Sequence, residues 1–282
     1  MPRHSLAECI TLACLLEATA PKPGNVHRGA DFEDLTFADL AISSVVIAGP
    51  LSQATAIGAG QAAWEALQAT QRVVTTNSNL GIILLLAPLA AVPRDEALQD
   101  GVRRVLSKLT AEDAAFLWQT IQAAKPGGMG KVAEQDIAEQ PPTDIVAAMK
   151  LAEKRDLVAA QYANGYEQVF EQISPWLVES HQRYGSLTEA IIHTHLRTLA
   201  AFPDTLIARK AGRATSQRAS EYAAQVLKCG EPGNNVYNAA VADFDFWLRS
   251  DGHRRNPGTT ADLLAAALFA VLRDERITPP YR

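Results

Sequence analysis

Apolar residues recur at helical spacing along almost the whole chain, and no stretch alternates as a strand would. From about Ser5 to Ala18, Leu6, Ile10 and Ala13 share one face, and Glu17 continues it, so a carboxylate points inward at the helix end. Leu35 to about Ile57 reads as a second helix, kinked or divided at Gly49-Pro50. Gly58 to Val74 reads as a third. Leu80 to Val92 is apolar on every side, the mark of a helix in the middle of a bundle. Pro93 to Leu109 and Ala111 to Ala124 follow as amphipathic helices, the second with Thr110 and Asp113 spaced as in a capping box. From Asp144 one helical pattern runs on to Ile173, with Arg155 and Asp156 inside it. Ser186 to Ala200, a segment starting just after Pro203, a helix capped by Asn234 or Asn235, and Asn256 to Val271 complete the set. The last has Asn256 as its expected cap and Pro257 at its first position. These elements predict an all-α globular bundle of one domain over residues 1–282, built around a buried apolar helix, with any hinge at Pro141-Pro142-Thr143.

The polar positions gather where the helices stop. Pro21 and Pro23 bracket Lys22 and Gly24 follows, so no helix or strand runs through that segment. Asn25, His27, Arg28, Asp31, Glu33 and Asp34 come next, a dense set of donors, cations and carboxylates on a rigid loop. Such a loop reads either as one wall of an active site or as a charged connection between helices. Glu17 reads likewise as a shifted-pKa acid or base, or as a salt bridge to Lys22 or Arg28 that pins the loop. Asn77, Ser78 and Asn79 precede the central apolar helix, to cap it or to face a ligand, and Gly81 in its first turn lets something approach the backbone. Lys125 to Lys131 invites comparison with a phosphate loop, but Val132 follows Lys131 and no strand precedes it, so a loop able to cover an anion is all that remains. Asp204 starts a helix that carries Arg209 and Lys210, which suits an ion pair or a phosphate-and-metal site. Asp262 is the one acid in an otherwise apolar helix whose N-terminus carries Thr259 and Thr260; that pattern fits a held phosphate and a magnesium ion.

Composition narrows the class only a little. The 282 residues are 48% hydrophobic and 20% charged, with a formal charge of −5, so nothing draws the chain globally toward nucleic acid or an anionic membrane. Cys9, Cys14 and Cys229 are scattered and read as small hydrophobes in a reducing compartment. His193 and His195 lie two apart on a helix, point to different sides and cannot chelate one metal, so zinc is not expected. No run is long enough to span a bilayer and the N-terminus is no signal peptide, so the expectation is a cytoplasmic protein without a membrane or nucleic-acid partner. A homodimer stays open.

Pro21-Lys22-Pro23-Gly24 after a helix ending in Glu17, Asn77 to Gly81, Asp204 with Arg209 to Gly212, and Asn256 to Leu263 occur in that order. Together they resemble the triphosphoribosyl-dephospho-CoA synthase family, over almost the whole chain. The resemblance implies an all-helical fold and an ATP-dependent transferase that joins the triphosphoribosyl group to 3′-dephospho-CoA with release of adenine. That product is the precursor of the prosthetic group of citrate or malonate lyase acyl carrier proteins. Members acting with citrate lyase carry Leu-Val-Asp after Pro-Lys-Pro-Gly and Asn-Thr-His-Lys-Gly in the later loop. Here Asn25-Val26-His27 and Asn77-Ser78-Asn79-Leu80-Gly81 stand instead, so the chain resembles a divergent branch and a related alcohol is an alternative acceptor. An enzyme of the same scaffold in another cofactor pathway, such as a tetrahydromethanopterin-type coenzyme, and a non-catalytic nucleotide-binding protein are the alternatives.

Displacing adenine at the ribose C1′ passes through an oxocarbenium-like state that needs a carboxylate near the sugar, a proton for the leaving base and a base for the incoming hydroxyl. On that chemistry Glu17, Asp31, Asp34 and Asp204 are the expected catalytic acids and bases, and Asp204 and Asp262 the expected Mg2+ ligands. Lys22, Arg209, Lys210, Thr259 and Thr260 are expected on the phosphates of ATP, and Asn25, Asn77 and Asn79 on its ribose or base.

Overall fold

A computed structural model describes residues 4–124 and 141–281, so Lys125 to Lys131 lies outside the described residues. Among them the regular elements are helices throughout; His27 and Ala30 alone pair as a bridge across a turn. The chain starts with α1 (Leu6–Thr19), whose Ser5 and Glu8 form a reciprocal cap. The apolar pattern from Leu35 is broken into α2 (Phe37–Val46), α3 (Ala48–Ser52) and α4 (Ala54–Ile57). Three short helices stand where one divided helix was expected. Next come α5 (Ala59–Gln71), α6 (Leu80–Ala90), α7 (Leu98–Ser107) and α8 (Ala111–Ala124), the last with the expected Thr110–Asp113 cap.

Asp144 caps α9 (Ile145–Ala152) as its position predicts. The pattern to Ile173 is not one helix, however. Asp156 accepts from the backbone N–H of Val158 and Ala159 and so starts a new helix, α10 (Leu157–Asn164), which Gly165 ends with φ of 72°. A π-helical turn at Val169–Ile173 leads into α11 (Ser174–Tyr184). Then α12 (Leu187–Ala201), α13 (Thr205–Ala211), α14 (Arg213–Lys228), α15 (Asn235–Arg249) and α16 (Gly258–Arg273) complete the chain. Pro257, not Asn256, is the residue before α16; the Asn256 side chain turns away to accept from Asn25.

The two most apolar helices form the centre. In α6 every residue except Gly81 is buried, and α16 packs on both α1 and α6. The tyrosines of α10 and the turn after it, Tyr162 and Tyr166, bury their rings there and donate to the carbonyls of Leu84 and Leu85, at 2.6 and 2.8 Å. A smaller apolar cluster joins α12, α14 and α15 through Leu196, Leu199, Ala219, Phe244 and Leu248. Cys9 and Cys14 are buried in the main core, and all three cysteines are free. No helix among the described residues is long and apolar enough to cross a membrane.

One side chain locks the helices that matter most for the site. Asp204 is fully buried, and its Oδ1 accepts from the N–H of Leu206 and Ile207 at 2.8 and 3.0 Å. Its Oδ2 accepts from the N–H and the hydroxyl of Thr260 at 2.7 and 2.8 Å. A single carboxylate thus caps α13 and α16 together. Thr205 ties in α10 by accepting from the Leu157 N–H at 3.3 Å, and it bonds Thr259 at 3.2 Å.

Asp204→Asn turns one acceptor oxygen into a donor facing N–H groups, and should cost roughly 2–4 kcal/mol of stability. The urea midpoint of purified wild type and variant checks this. Gly60→Ala reverses an ordinary rule. Alanine usually gains about 1 kcal/mol over glycine inside a helix. Here its Cβ would lie 2.5 Å from the Cα and carbonyl oxygen of Asp113 on α8, so a loss of roughly 1–3 kcal/mol is expected in the same measurement.

Candidate active site

The Pro-Lys-Pro-Gly loop is pinned from two sides. Lys22 is wholly buried and its ammonium is spent on the Glu17 carboxylate at 2.9 Å, the Glu17 carbonyl and the Ala20 carbonyl at 3.3 Å. That geometry corrects the expectation for Lys22. With its three protons engaged inside the protein, it anchors the loop and has nothing left for a phosphate. Beneath it sits His195, also fully buried, its ring pushed down to about 3 by burial and then by the Lys22 charge. On the other side, Asp245 of α15 accepts from the Gly24 N–H at 2.7 Å and pairs with Arg249, which donates to the Asn25 carbonyl. Gly24 has φ of 77°, and a Cβ there would meet Leu248 and Pro257 within 2.9 Å, so only glycine fits. Arg249 also lies over Phe32, which stacks on His253 with centroids 3.8 Å apart. Asp245, Arg249 and His253 are missing from the sequence-based candidates; the i, i+4 spacing of Asp245 and Arg249 was the available signal.

Above this loop opens a large cleft, about 2040 Å³ in volume. Of the expected site residues, Glu17, Asn25, Asp34, Asn77, Asn79, Arg209, Lys210, Thr259 and Asp262 line it. Lys22, Asp31, Asp204 and Thr260 are not among its lining residues. Asp31 is exposed and accepts from the Phe37 N–H at 2.7 Å, so it caps α2. The N–H and hydroxyl of Thr260 are both given to Asp204, which takes the place at the head of α16 where a phosphate was expected. Burial raises the Asp204 carboxyl above its ordinary value, and the hydrogen bonds from Ile207, Thr260 and Leu206 pull it back.

One wall of the cleft is cationic. Arg209 pairs with Asp156 at 3.0 Å, and Asp156 at the same time caps α10. Lys210 lies beside it, and its carbonyl takes two hydrogen bonds from Arg254. Gly258 and Thr259 bring the N-terminus of α16 to the same wall, and Arg155 adds another charge.

Asp262 stands apart from the other acids. It lines the cleft from the first turns of α16, and no hydrogen bond or ion pair holds its carboxyl among the described residues. The carboxyl rests on Gly81 of α6, where a Cβ would lie 2.1 Å from its Oδ2. The glycine noticed in that first turn therefore makes room for a side chain of the protein itself. Burial, followed by the charges of Glu17, Asp204 and Asp156, raises the Asp262 carboxyl well above the ordinary range, against the pull of Arg209. Among the described residues, no three His, Cys, Asp or Glu side chains gather in a way that could hold a metal ion.

The family model for ATP:dephospho-CoA triphosphoribosyl transferase matches residues 3–279. Among solved structures, a candidate triphosphoribosyl-dephospho-CoA synthase from Archaeoglobus fulgidus superposes with a TM-score of 0.64. It is 21% identical, with 85% of this chain and 99% of that one covered, a likeness that speaks to the fold. No curated protein matches the chain. With the family model covering nearly its whole length, the chain belongs to the ATP:dephospho-CoA triphosphoribosyl transferase family.

Proposed function

We propose that the cleft brings ATP and the alcohol acceptor together, with Asp262 acting at the sugar. The chain is a triphosphoribosyl-dephospho-CoA synthase-like transferase that uses ATP. The observation that carries the assignment is the unpartnered Asp262 carboxyl seated on Gly81 and open to the cleft. Arg209, Lys210, Thr259 and the head of α16 support placing the triphosphate on the cationic wall. The apolar part of the cleft, with Leu67, Trp118, Ile121 and Met149, offers a surface for the hydrocarbon arm of dephospho-CoA.

In this reading the C1′–N9 bond of ATP breaks and its electron pair leaves with adenine. Asp262, whose carboxyl is raised above the ordinary range, gives a proton to the departing base. The acceptor oxygen bonds to C1′, and Glu17, steadied by Lys22, takes the hydroxyl proton. Asp34 stays at the cleft rim, while Asn25, Asn77 and Asn79 orient the ribose and base. Magnesium would travel with the triphosphate. The residues do not fit the expected Asp204–Asp262 metal pair, because the Asp204 oxygens are engaged by Leu206, Ile207 and Thr260. No step is routed through a protein-built ion site.

A second acceptor is favoured by one specific feature, the Asn25-Val26-His27 and Asn77-to-Gly81 segments that differ from the lyase-associated pattern. Following adenine release from ATP with 3′-dephospho-CoA against other alcohols separates the two, in a protein expected to act in the cytoplasm.

Asp262→Asn should lower adenine release by at least ~100-fold, the scale of a lost general acid. In wild type the rate should fall as pH rises through the raised Asp262 pKa, and the Asn variant should lack that limb. Stability gives the complementary sign. A carboxyl whose folded pKa is raised contributes fully below its unfolded value and loses that contribution as pH rises. The thermal midpoint of Asp262→Asn should therefore gain on wild type as pH increases. An Asn variant with full activity and no such gain contradicts the assignment.

A further inference from the structure

Two residues that line the cleft carry buried amide oxygens with no donor among the described residues. Asn25 and Asn79 are each 5% exposed and line the cleft, and the Oδ1 of each is buried without a hydrogen-bond partner among the described residues. Their amide nitrogens are already committed. Asn79 Nδ2 donates to Thr70 Oγ1 at 3.2 Å, and Thr70 gives its own proton to the Ala66 carbonyl, so it can only accept from Asn79. Asn25 Nδ2 donates to Asn256 Oδ1 at 2.7 Å. Each side chain is thus held by its nitrogen and leaves a carbonyl oxygen unsatisfied, a costly state inside a protein unless a donor arrives.

Building on the assignment of the cleft to ATP, we propose that Asn25 and Asn79 accept hydrogen bonds from the ribose hydroxyls and so make the site select a ribonucleotide over its deoxy analogues. The phosphates of ATP carry no suitable donor, and the exocyclic amine of adenine lies across the base from C1′. The 2′- and 3′-hydroxyls are the donors nearest the reacting carbon. Both asparagines flank the acid assigned to that carbon: Asn79 is two residues before Gly81, on which Asp262 rests, and Asn25 bonds Asn256 just before α16. A site built from buried acceptors rejects a ligand lacking the hydroxyl because its carbonyls are then left unpaired.

One rival occupant exists for Asn79. A small cavity of about 10 Å³, lined by Glu17, Ser43, Ser44 and Asn79, has room for one water, which could satisfy the same oxygen with no ligand present. Water and sugar give different results when the nucleotide is varied.

The test measures kcat/KM for adenine release from ATP, 2′-deoxy-ATP and 3′-deoxy-ATP with 3′-dephospho-CoA, in wild type, Asn25→Ala, Asn79→Ala and Asn79→Asp. Comparing variant with wild type cancels the intrinsic reactivity of each sugar. Each Ala variant should lose at least ~10-fold more with ATP than with one of the deoxy analogues, while Asn79→Asp, which keeps an acceptor oxygen, retains most of the discrimination. Equal losses on all nucleotides, or a wild type that binds ATP and both analogues alike, would overturn the proposal. Circular dichroism of each variant separates unfolding from lost recognition. Calorimetric titration of the same nucleotides without acceptor keeps the two readings distinct. If wild type releases no adenine from ATP, the transferase assignment falls, and the binding ratio alone then decides the ribose assignment.

Discussion

The Asp204 carboxylate is the constraint on which the polar wall depends. An acid this deep survives only if its oxygens are filled, and here the filling is done by two helix N-termini that are far apart in the chain. The consequence is geometric. With α13 and α16 tied at one point, Arg209 and Lys210 on the first and Gly258 and Thr259 on the second are fixed relative to each other at the cleft. Thr205 brings the start of α10 to the same junction, so Asp156 can hold Arg209 without leaving its own cap. A second buried contact, Glu17 with Lys22, anchors the proline loop to the end of α1.

These anchors explain how an all-helical scaffold carries a polar cleft. A bundle has no strand ends on which to mount chemistry, so it presents helix starts and the loops that precede them. The acids then divide by environment, not by type. Asp204 is saturated and structural in its contacts, Asp31 caps α2, and Asp156 caps and pairs. Asp262 has no such employment, and it sits among like charges on an apolar helix, the setting in which a carboxyl keeps its proton. Gly81 is the matching concession from α6, since any side chain there would displace that carboxyl.

The sequence made the helices legible where one interaction dominates. The unbroken apolar run of α6 could only be central, and Thr110 and Asp144 announced the helices they cap. It misled where two signals competed. The apolar period from Asp144 to Ile173 hid the break at Asp156, because the residues on both sides face the same core. Of the residues expected at the site, Glu17, Asn25, Asp34, Asn77, Asn79, Arg209, Lys210, Thr259 and Asp262 line the cleft, and His253 lines it without having been expected. Lys22, Asp204 and Thr260 were picked out too, yet their partners consume them. The Thr260 partner of Asp204 lies 56 residues away, a pairing no local pattern reveals. Asp245 and Arg249 show their own pairing at i, i+4, but their hold on the proline loop, more than 220 residues away, stayed hidden.

The central claim is that the reacting sugar meets Asp262 while the triphosphate lies along the α13–α16 wall. A crystal structure of the enzyme with a carbocyclic ATP analogue and dephospho-CoA tests it most directly. The account predicts phosphate oxygens on Arg209, Lys210 and Thr259 and the analogue's C1′ carbon beside the Asp262 carboxyl. A nucleotide whose phosphates lie at the Asp34 rim, with Asp262 out of reach of the sugar and base, would contradict it.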